Sequence, residues 1–192
     1  MGRIVVSENV SLDGVIQDPN GDEGYIHGGW FAQIADADRE AWAEAAFEEA
    51  LNAQALLFGR RSYQFFAALW PFRSGQFAER LNNMPKYVVS STLSNCEWNN
   101  STILKGNVVT AVSDLKREFS GDIVVYASFK LVHTLIEHDL IDEFRMTIYP
   151  FVLGTGERLF DETSDKKPLR LLDSRTIGAG LAHLAYELAR DA

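Results

Sequence analysis

The chain has 192 residues, of which 46% are hydrophobic and 23% charged; 18 Lys and Arg stand against 27 Asp and Glu, a formal net charge of −9. That balance excludes a disordered or fibrous chain, and the negative charge argues against nucleic acid as a partner, because such affinity rests on Lys and Arg neutralising phosphates. The single cysteine, Cys96, excludes an intramolecular disulfide framework. No apolar run approaches the ~20 residues of a membrane span, and the N-terminus enters a strand pattern at once, so the expectation is a cytoplasmic protein without a signal peptide.

In chain order, Ile4 to Val10 reads as a β-branched strand closed by the turn Ser11-Leu12-Asp13-Gly14. Gln17 to Gly29 carries four glycines with Pro19 and Asn20 and reads as a long loop, either a flap over a site or a surface insertion. Asp36 to Asn52 has helical spacing, with Asp36 or Asp38 as its N-cap. Ala55 to Phe58 is a buried strand stopped by Gly59. Arg60 to Leu69 is a helix ended by Pro71, and Lys86 to Ser90 a further strand. Ser113 to Phe119 is a short helix capped by Ser113, Ile123 to Tyr126 a strand, and Phe129 to His138 a helix. Apolar strands alternating with helices imply βα units and a mainly parallel sheet covered on both faces. Phe144, Met146 and Ile148 alternate with polar residues as a strand does, and Leu169 to Ile177 is another. Leu181 to Ala189 fits helix slightly better than strand on local periodicity. Nothing divides the chain, so one domain over residues 1–192 is expected.

Two strand-turn-helix junctions suit a phosphorylated ligand. At Phe58-Gly59-Arg60-Arg61-Ser62 a helix N-terminus offers free N–H groups, and the arginines add bidentate donors. A glycine turn with solvated arginines explains the same residues. At Tyr126-Ala127-Ser128-Phe129-Lys130, small residues after a buried strand let a pyrophosphate approach, with Ser128 as donor or as cap. Ser90-Ser91-Thr92 ends a third strand with three hydroxyls, which turn chemistry also explains. Gly154-Thr155-Gly156 lacks the third glycine of a dinucleotide fingerprint. His27, His133, His138 and His183 lack metal-ligand spacing, so no metal is expected.

The order of Ser11–Gly14, Phe58–Tyr63, Lys86–Ser90, Asp122–Leu131, Leu140–Phe144 and Pro150–Phe160 resembles the dihydrofolate-reductase-like family that includes the C-terminal reductase domain of bifunctional riboflavin biosynthesis proteins (the RibD C-terminal domain). The resemblance covers nearly the whole chain and is most specific over Asp142–Phe160. It implies an α/β fold, a dihydrofolate-reductase-like three-layer α/β/α arrangement with a mostly parallel central sheet and an antiparallel C-terminal edge, and it makes the last segment a strand. It implies NADPH and hydride transfer to a small heterocyclic, pterin- or pyrimidine-like substrate, similar to 5-amino-6-(5-phosphoribosylamino)uracil reduction. The alternative is a nucleotide-binding module of the same fold without turnover.

By that likeness Gly59, Arg60 and Ser62 reach the adenosine phosphates, and Ser90 and Ser91 lie on the adenine side. Ala127, Ser128, Phe129 and Lys130 form the pyrophosphate turn, Gly14 borders the nicotinamide, and Asp13 is the candidate catalytic residue. Trp30, at the end of the long loop, is either the cover for bound substrate or a core anchor for the next helix, and Asp13-Gly14 also suits a plain turn. Ala127 departs from the glycine that usually opens the pyrophosphate turn, and its methyl group crowds the phosphates if the position needs a positive φ. A homodimer is expected from the likeness and from Phe144, Phe151 and Phe160 near a sheet edge.

Overall fold

A computed structural model describes residues 1–160 and 162–189. Eight strands form one sheet: β1 (Arg3–Ser11), β2 (Ala53–Gly59), β3 (Lys86–Val89), β4 (Ser101–Leu104), β5 (Asp122–Tyr126), β6 (Glu143–Tyr149), β7 (Leu169–Ile177) and β8 (Leu181–Leu188). Their order is β4-β3-β2-β5-β1-β6-β8-β7. The strands from β4 to β6 are parallel, whereas β8 pairs antiparallel with both β6 and β7. Five α-helices join them: α1 (Asp36–Asn52), α2 (Arg60–Leu69), α3 (Gln76–Asn83), α4 (Val108–Glu118) and α5 (Phe129–Glu137). The expected α/β architecture with an antiparallel C-terminal edge is therefore present. No helix among the described residues is long and apolar enough to cross a membrane.

The continuous apolar strands are explained by burial on both faces. In β1, Ile4 and Val6 join a cluster with Leu131, Val132 and Leu135 of α5, while Val5 packs in a second cluster with Ala50, Leu56, Phe58 and Leu81. A third cluster holds Trp30, Tyr149, Ile177 and Leu181.

Several local expectations change. The 181–188 segment is a strand, because β6 offers it a partner from Ile148 to Glu143 that local periodicity does not see. The helix expected at 113–119 starts earlier, at Val108, where Asn107 Oδ1 accepts from the N–H of Thr110 at 3.0 Å. Strand β4 and helix α3 had no expectation; both are short, at four and eight residues. Neither Asp36 nor Asp38 caps α1. The N-cap is Ala35, and Asp38 Oδ1 instead accepts from the N–H groups of Ala179 and Gly180 in the β7–β8 turn. Lys86, read only as a strand residue, is fully buried; its ammonium donates to the carbonyls of Asn82, Met84 and Asn99 and lies 4.3 Å from the Trp98 ring centre.

The aromatics expected at an exposed edge do not stand there together. Phe144 is in the core against Phe160, and Phe151 is half-buried in the Trp30 cluster. The exposed edge is β7, where every residue from Leu169 to Thr176 is open to solvent.

Candidate active site

Strand β1 pairs with β5 only from Arg3 to Ser7, but with β6 from Val5 to Ser11. Beyond Tyr126 the chain leaves the sheet for α5, so β1 runs on beside a gap. The connections after β2 and β5 also diverge, with α2 in the Phe58 cluster and α5 in the Leu131 cluster. A crevice at the carboxyl ends of parallel strands, where connections diverge, is the position in which open α/β sheets bind ligands.

A cleft of about 910 Å³ opens there. Its floor is polar. One cross-strand row runs Tyr126, Ser7, Arg145, Ala185 and Asp173; the next runs Asn9, Thr147, His183 and Arg175. All nine line the cleft. Directly opposed residues share a face, so the register alone assembles this surface. The Arg145 guanidinium bonds Glu143 at 2.6 Å, Asp122 at 2.8 Å and Glu49 of α1 at 3.3 Å. The Tyr126 hydroxyl and His183 Nδ1 are sealed from solvent without a hydrogen-bond partner, although buried polar groups are normally paired.

At the mouth, two strand-helix turns are stitched together. Ser128 Oγ accepts from the Gly59 N–H at 3.1 Å and donates to the Tyr126 carbonyl at 3.0 Å; Ser62 Oγ accepts from the Ser128 N–H at 2.9 Å. The N-termini of α2 and α5 therefore meet, and a meeting of two positive dipole ends favours an anion. Gly59, Ser62, Ala127, Ser128 and Phe129 come together as expected, but the Ser128 hydroxyl is used on both sides and the Ser62 oxygen accepts across the two turns. Arg60 and Lys130 stand exposed at the starts of their helices. Ala127 and Ser128 have φ of 50° and 64°, a left-handed conformation that costs a residue with a Cβ roughly 1 kcal/mol or more.

Other expected residues take structural places. Ser90 is buried, and its Oγ accepts from the N–H groups of Thr92 and Leu93, closing a turn; neither Ser90 nor exposed Ser91 lines the cleft. The Asp13 carboxylate also lies outside the cleft lining. It accepts from Ser11 Oγ at 2.7 Å and from the N–H groups of Leu153 and Gly154 at 3.1 and 2.8 Å. Burial works to raise its pKa, but these bonds outweigh it and hold the carboxyl at about 2. Gly14, with φ 88°, completes the same turn. Trp30 is 1% exposed, its indole donates to the Gln17 carbonyl at 3.0 Å, and its ring meets Tyr149 at 5.1 Å. It anchors the core and does not cover the cleft.

The long loop does border the cleft, through Gln17 to Asn20, Asp22 and Glu23. It is organised around Asp18, whose carboxylate accepts from the N–H groups of Glu23 and Tyr25, both at 3.1 Å. Glu23 pairs with Arg61 of α2 at 2.8 Å, tying the loop to that helix.

Glu8 was missed. It borders the cleft just past the end of β5. Its Oε1 accepts from the Asn9 N–H at 3.2 Å, while Oε2 is sealed from solvent without a partner. Burial pushes its pKa up to about 8, opposed by the Asn9 N–H. A charged residue within a β-branched run is the signal that could have marked it.

The family model for the RibD C-terminal domain matches residues 3–183. The chain belongs to the RibD C-terminal domain family. It is 29% identical over 190 residues to the uncharacterized protein YyaP of Bacillus subtilis (strain 168), spanning 96% of this chain and 94% of that one. YwjB of the same strain, also uncharacterized, is 25% identical over 169 residues, spanning 88% of each chain. Among solved structures, a Shewanella sp. PV-4 protein named, provisionally, for riboflavin biosynthesis superposes with a TM-score of 0.77 at 21% identity, covering 98% of this chain and 99% of that one. The Thermotoga maritima deaminase/5-amino-6-(5-phosphoribosylamino)uracil reductase superposes with a TM-score of 0.62 at 12% identity, covering 98% of this chain and 57% of the other. The family model establishes the family, and the solved structures establish the fold.

Proposed function

We propose that the protein is an NADPH-dependent reductase of a small heterocyclic substrate of the pterin or pyrimidine type, working in the cytoplasm as a homodimer. The observation that carries this reading is the junction of the two helix N-termini at the mouth of a cleft with a polar sheet floor. A dinucleotide needs both parts, an anion site for its phosphates and an adjoining pocket where its ring meets a second molecule.

The left-handed Ala127–Ser128 turn and exposed Arg60 and Lys130 fit the phosphates. NADPH would supply the hydride, and the chain's own residues would bind, orient and exclude water. The polar floor from Ser7 to Arg175 carries the substrate. Arg145 is already neutralised by three carboxylates, which favours an uncharged ring over a phosphate at that end of the cleft.

Calorimetry with NADPH, followed by absorbance at the dihydronicotinamide band with candidate heterocycles, tests the reading. Micromolar binding with substrate-dependent oxidation supports it. Binding without oxidation across pterins and pyrimidines favours a nucleotide-binding module, and no binding removes both.

A further inference from the structure

We infer that the substrate carries an apolar, aromatic arm, held in a slot of the cleft between α1 and α2 that does not accept a phosphorylated sugar. The inference deepens the reductase reading and rests on it, since the arm belongs to the molecule that is reduced. It begins with helix periodicity. Ser62, Phe65, Phe66 and Leu69 of α2 recur at i, i+3, i+4 and i+7, one face of a helix, and all four line the cleft, as does Trp70 just beyond them. Phe65 and Leu69 are half-buried and belong to none of the three apolar clusters.

The rings form a continuous wall. The Tyr126 ring, on the floor, lies 6.2 Å from that of Phe66, with an angle of 4° between the planes. Phe66 meets Phe65 at 6.0 Å and Trp70 at 6.4 Å, and Trp70 meets Phe77 at 5.1 Å. From α1 the same cleft takes Ala43 and Ala46, whose side chains end at one methyl group. Protein interiors are close-packed, so apolar side chains left facing unfilled space mark a binding pocket. Aromatic rings from one helix and methyl groups from the other suit a flat apolar group.

Charge decides what the arm is not. Among the described residues, four arginines and no lysine line the cleft, and each arginine is engaged. Arg61 is held by Glu23, Arg145 by three carboxylates and Arg175 by Asp173 at 3.8 Å, while the Arg73 guanidinium lies 4.7 Å from the Trp70 ring centre. Glu48 and Glu49 bring carboxylates from α1 to the same space. A phosphate there would meet negative charge and no spare cation, and an unpaired buried charge is costly. The exposed cations Arg60 and Lys130 stand outside the lining, at the starts of their helices. The Thermotoga maritima reductase is named for a phosphoribosylamino substrate; this cleft suits an arm of the opposite character.

The test reads binding rather than turnover. Three 5-amino-6-(substituted amino)uracils, alike except for a methyl, a phenethyl or a 5-phosphoribosyl group on the 6-amino nitrogen, are titrated into the protein by calorimetry. The phenethyl compound is expected to bind roughly tenfold to a hundredfold tighter than the methyl one, the gain from burying one aromatic ring, and the phosphoribosyl compound no tighter than the methyl one. Ala46→Trp fills the slot, and Phe65→Ala strips its wall at a residue outside the core clusters. Each is expected to bring the methyl-to-phenethyl Kd ratio toward unity, and a ratio is insensitive to a general loss of binding. Equal binding of the methyl and phenethyl compounds, a tighter phosphoribosyl compound, no binding of the phenethyl compound, or an unchanged ratio in either variant overturns the inference. Calorimetry with NADPH on the same protein reads the reductase reading separately. NADPH binding without the arm preference leaves that reading standing; the arm preference without NADPH binding ends it and keeps the slot.

Discussion

The Asp13 carboxylate takes the N–H of Gly154 at 2.8 Å, joining two loops that lie 141 residues apart. These loops carry the two most recognisable motifs of the chain, and each is held by the other. Leu12 N–H donates to the Phe151 carbonyl, Ile16 N–H to the Glu157 carbonyl, and Val15 bridges Arg158. Gly156 sits inside the clasp with φ 119°, where a Cβ would meet Val15 Cγ1 at 2.8 Å. The clasp fixes the far end of β1 and β6, and so the edge of the cleft.

Asp13→Ala removes the acceptor for two backbone N–H groups and the Ser11 hydroxyl. It is expected to cost about 2 kcal/mol, read as a melting temperature roughly 4–8 °C lower by calorimetry. The folded carboxyl titrates lower than the unfolded one, so its contribution is present above the unfolded value of 3.8 and is lost as pH falls toward about 2. The wild-type advantage over Asp13→Ala therefore disappears in acid. An unchanged melting temperature at neutral pH would show that the clasp does not depend on this carboxylate.

Glu8 has the opposite sign. Its folded value of about 8 lies above the unfolded 4.5, so between those pH values the folded state holds more protons and stability falls as pH rises. Glu8→Gln keeps the shape and removes the ionisation. Relative to the wild type, the variant is expected to gain stability steadily from about pH 4.5 to about pH 8, with the gain constant above that. Urea unfolding across that range measures it, and parallel curves would contradict it.

Ala127→Gly relieves a left-handed residue of its Cβ. At φ 50° this is expected to stabilise the fold by about 1 kcal/mol, seen as a rise of roughly 2–4 °C in thermal melts. With the methyl group gone, NADPH affinity is expected to hold or improve. A fall in both would show that the methyl packs usefully in the turn.

Arg60 is exposed at the first position of α2, beside the stitched turns. A charge-assisted contact to a 2′-phosphate is worth about 1.5–3 kcal/mol, so Arg60→Ala is expected to weaken NADPH roughly 10- to 150-fold while leaving NADH nearly unchanged. Calorimetry with both nucleotides decides this. Equal wild-type affinities would remove the preference.

The homodimer is expected through β7, an open edge with Leu169, Leu171 and Leu172 exposed at 37%, 49% and 42%. Leu172, Asp173 and Arg175 of this strand also line the cleft, so a second copy there would close one side of it. Light scattering should give twice the chain mass of 21.5 kDa. Leu171→Lys should shift the protein toward the single-chain mass. A wild-type monomer at micromolar concentration would rule the dimer out.

The sequence by itself determined the alternation of apolar strands and helices, the turns after Phe58 and Tyr126, and the family. These are local signals: a run buried on both faces, a small residue after a strand, a helix start. It also located Gly59, Ser62, Ala127, Ser128 and Phe129 at one site. Only the tertiary structure decided what the polar side chains there do. Ser62, Ser128 and Asp13 satisfy distant backbone groups, because buried N–H groups must find acceptors wherever the fold leaves them. Trp30 and Asp13 both sit in motif-like surroundings, yet packing sent one to the core and the other to the clasp. The polar floor from Tyr126 to His183 is a matter of strand register, which pairs residues far apart in the chain. Glu8 looks like an interruption of an apolar strand in the sequence; only the fold encloses its carboxyl, with Oε1 on the Asn9 N–H and Oε2 without a partner, and that burial pushes its pKa up.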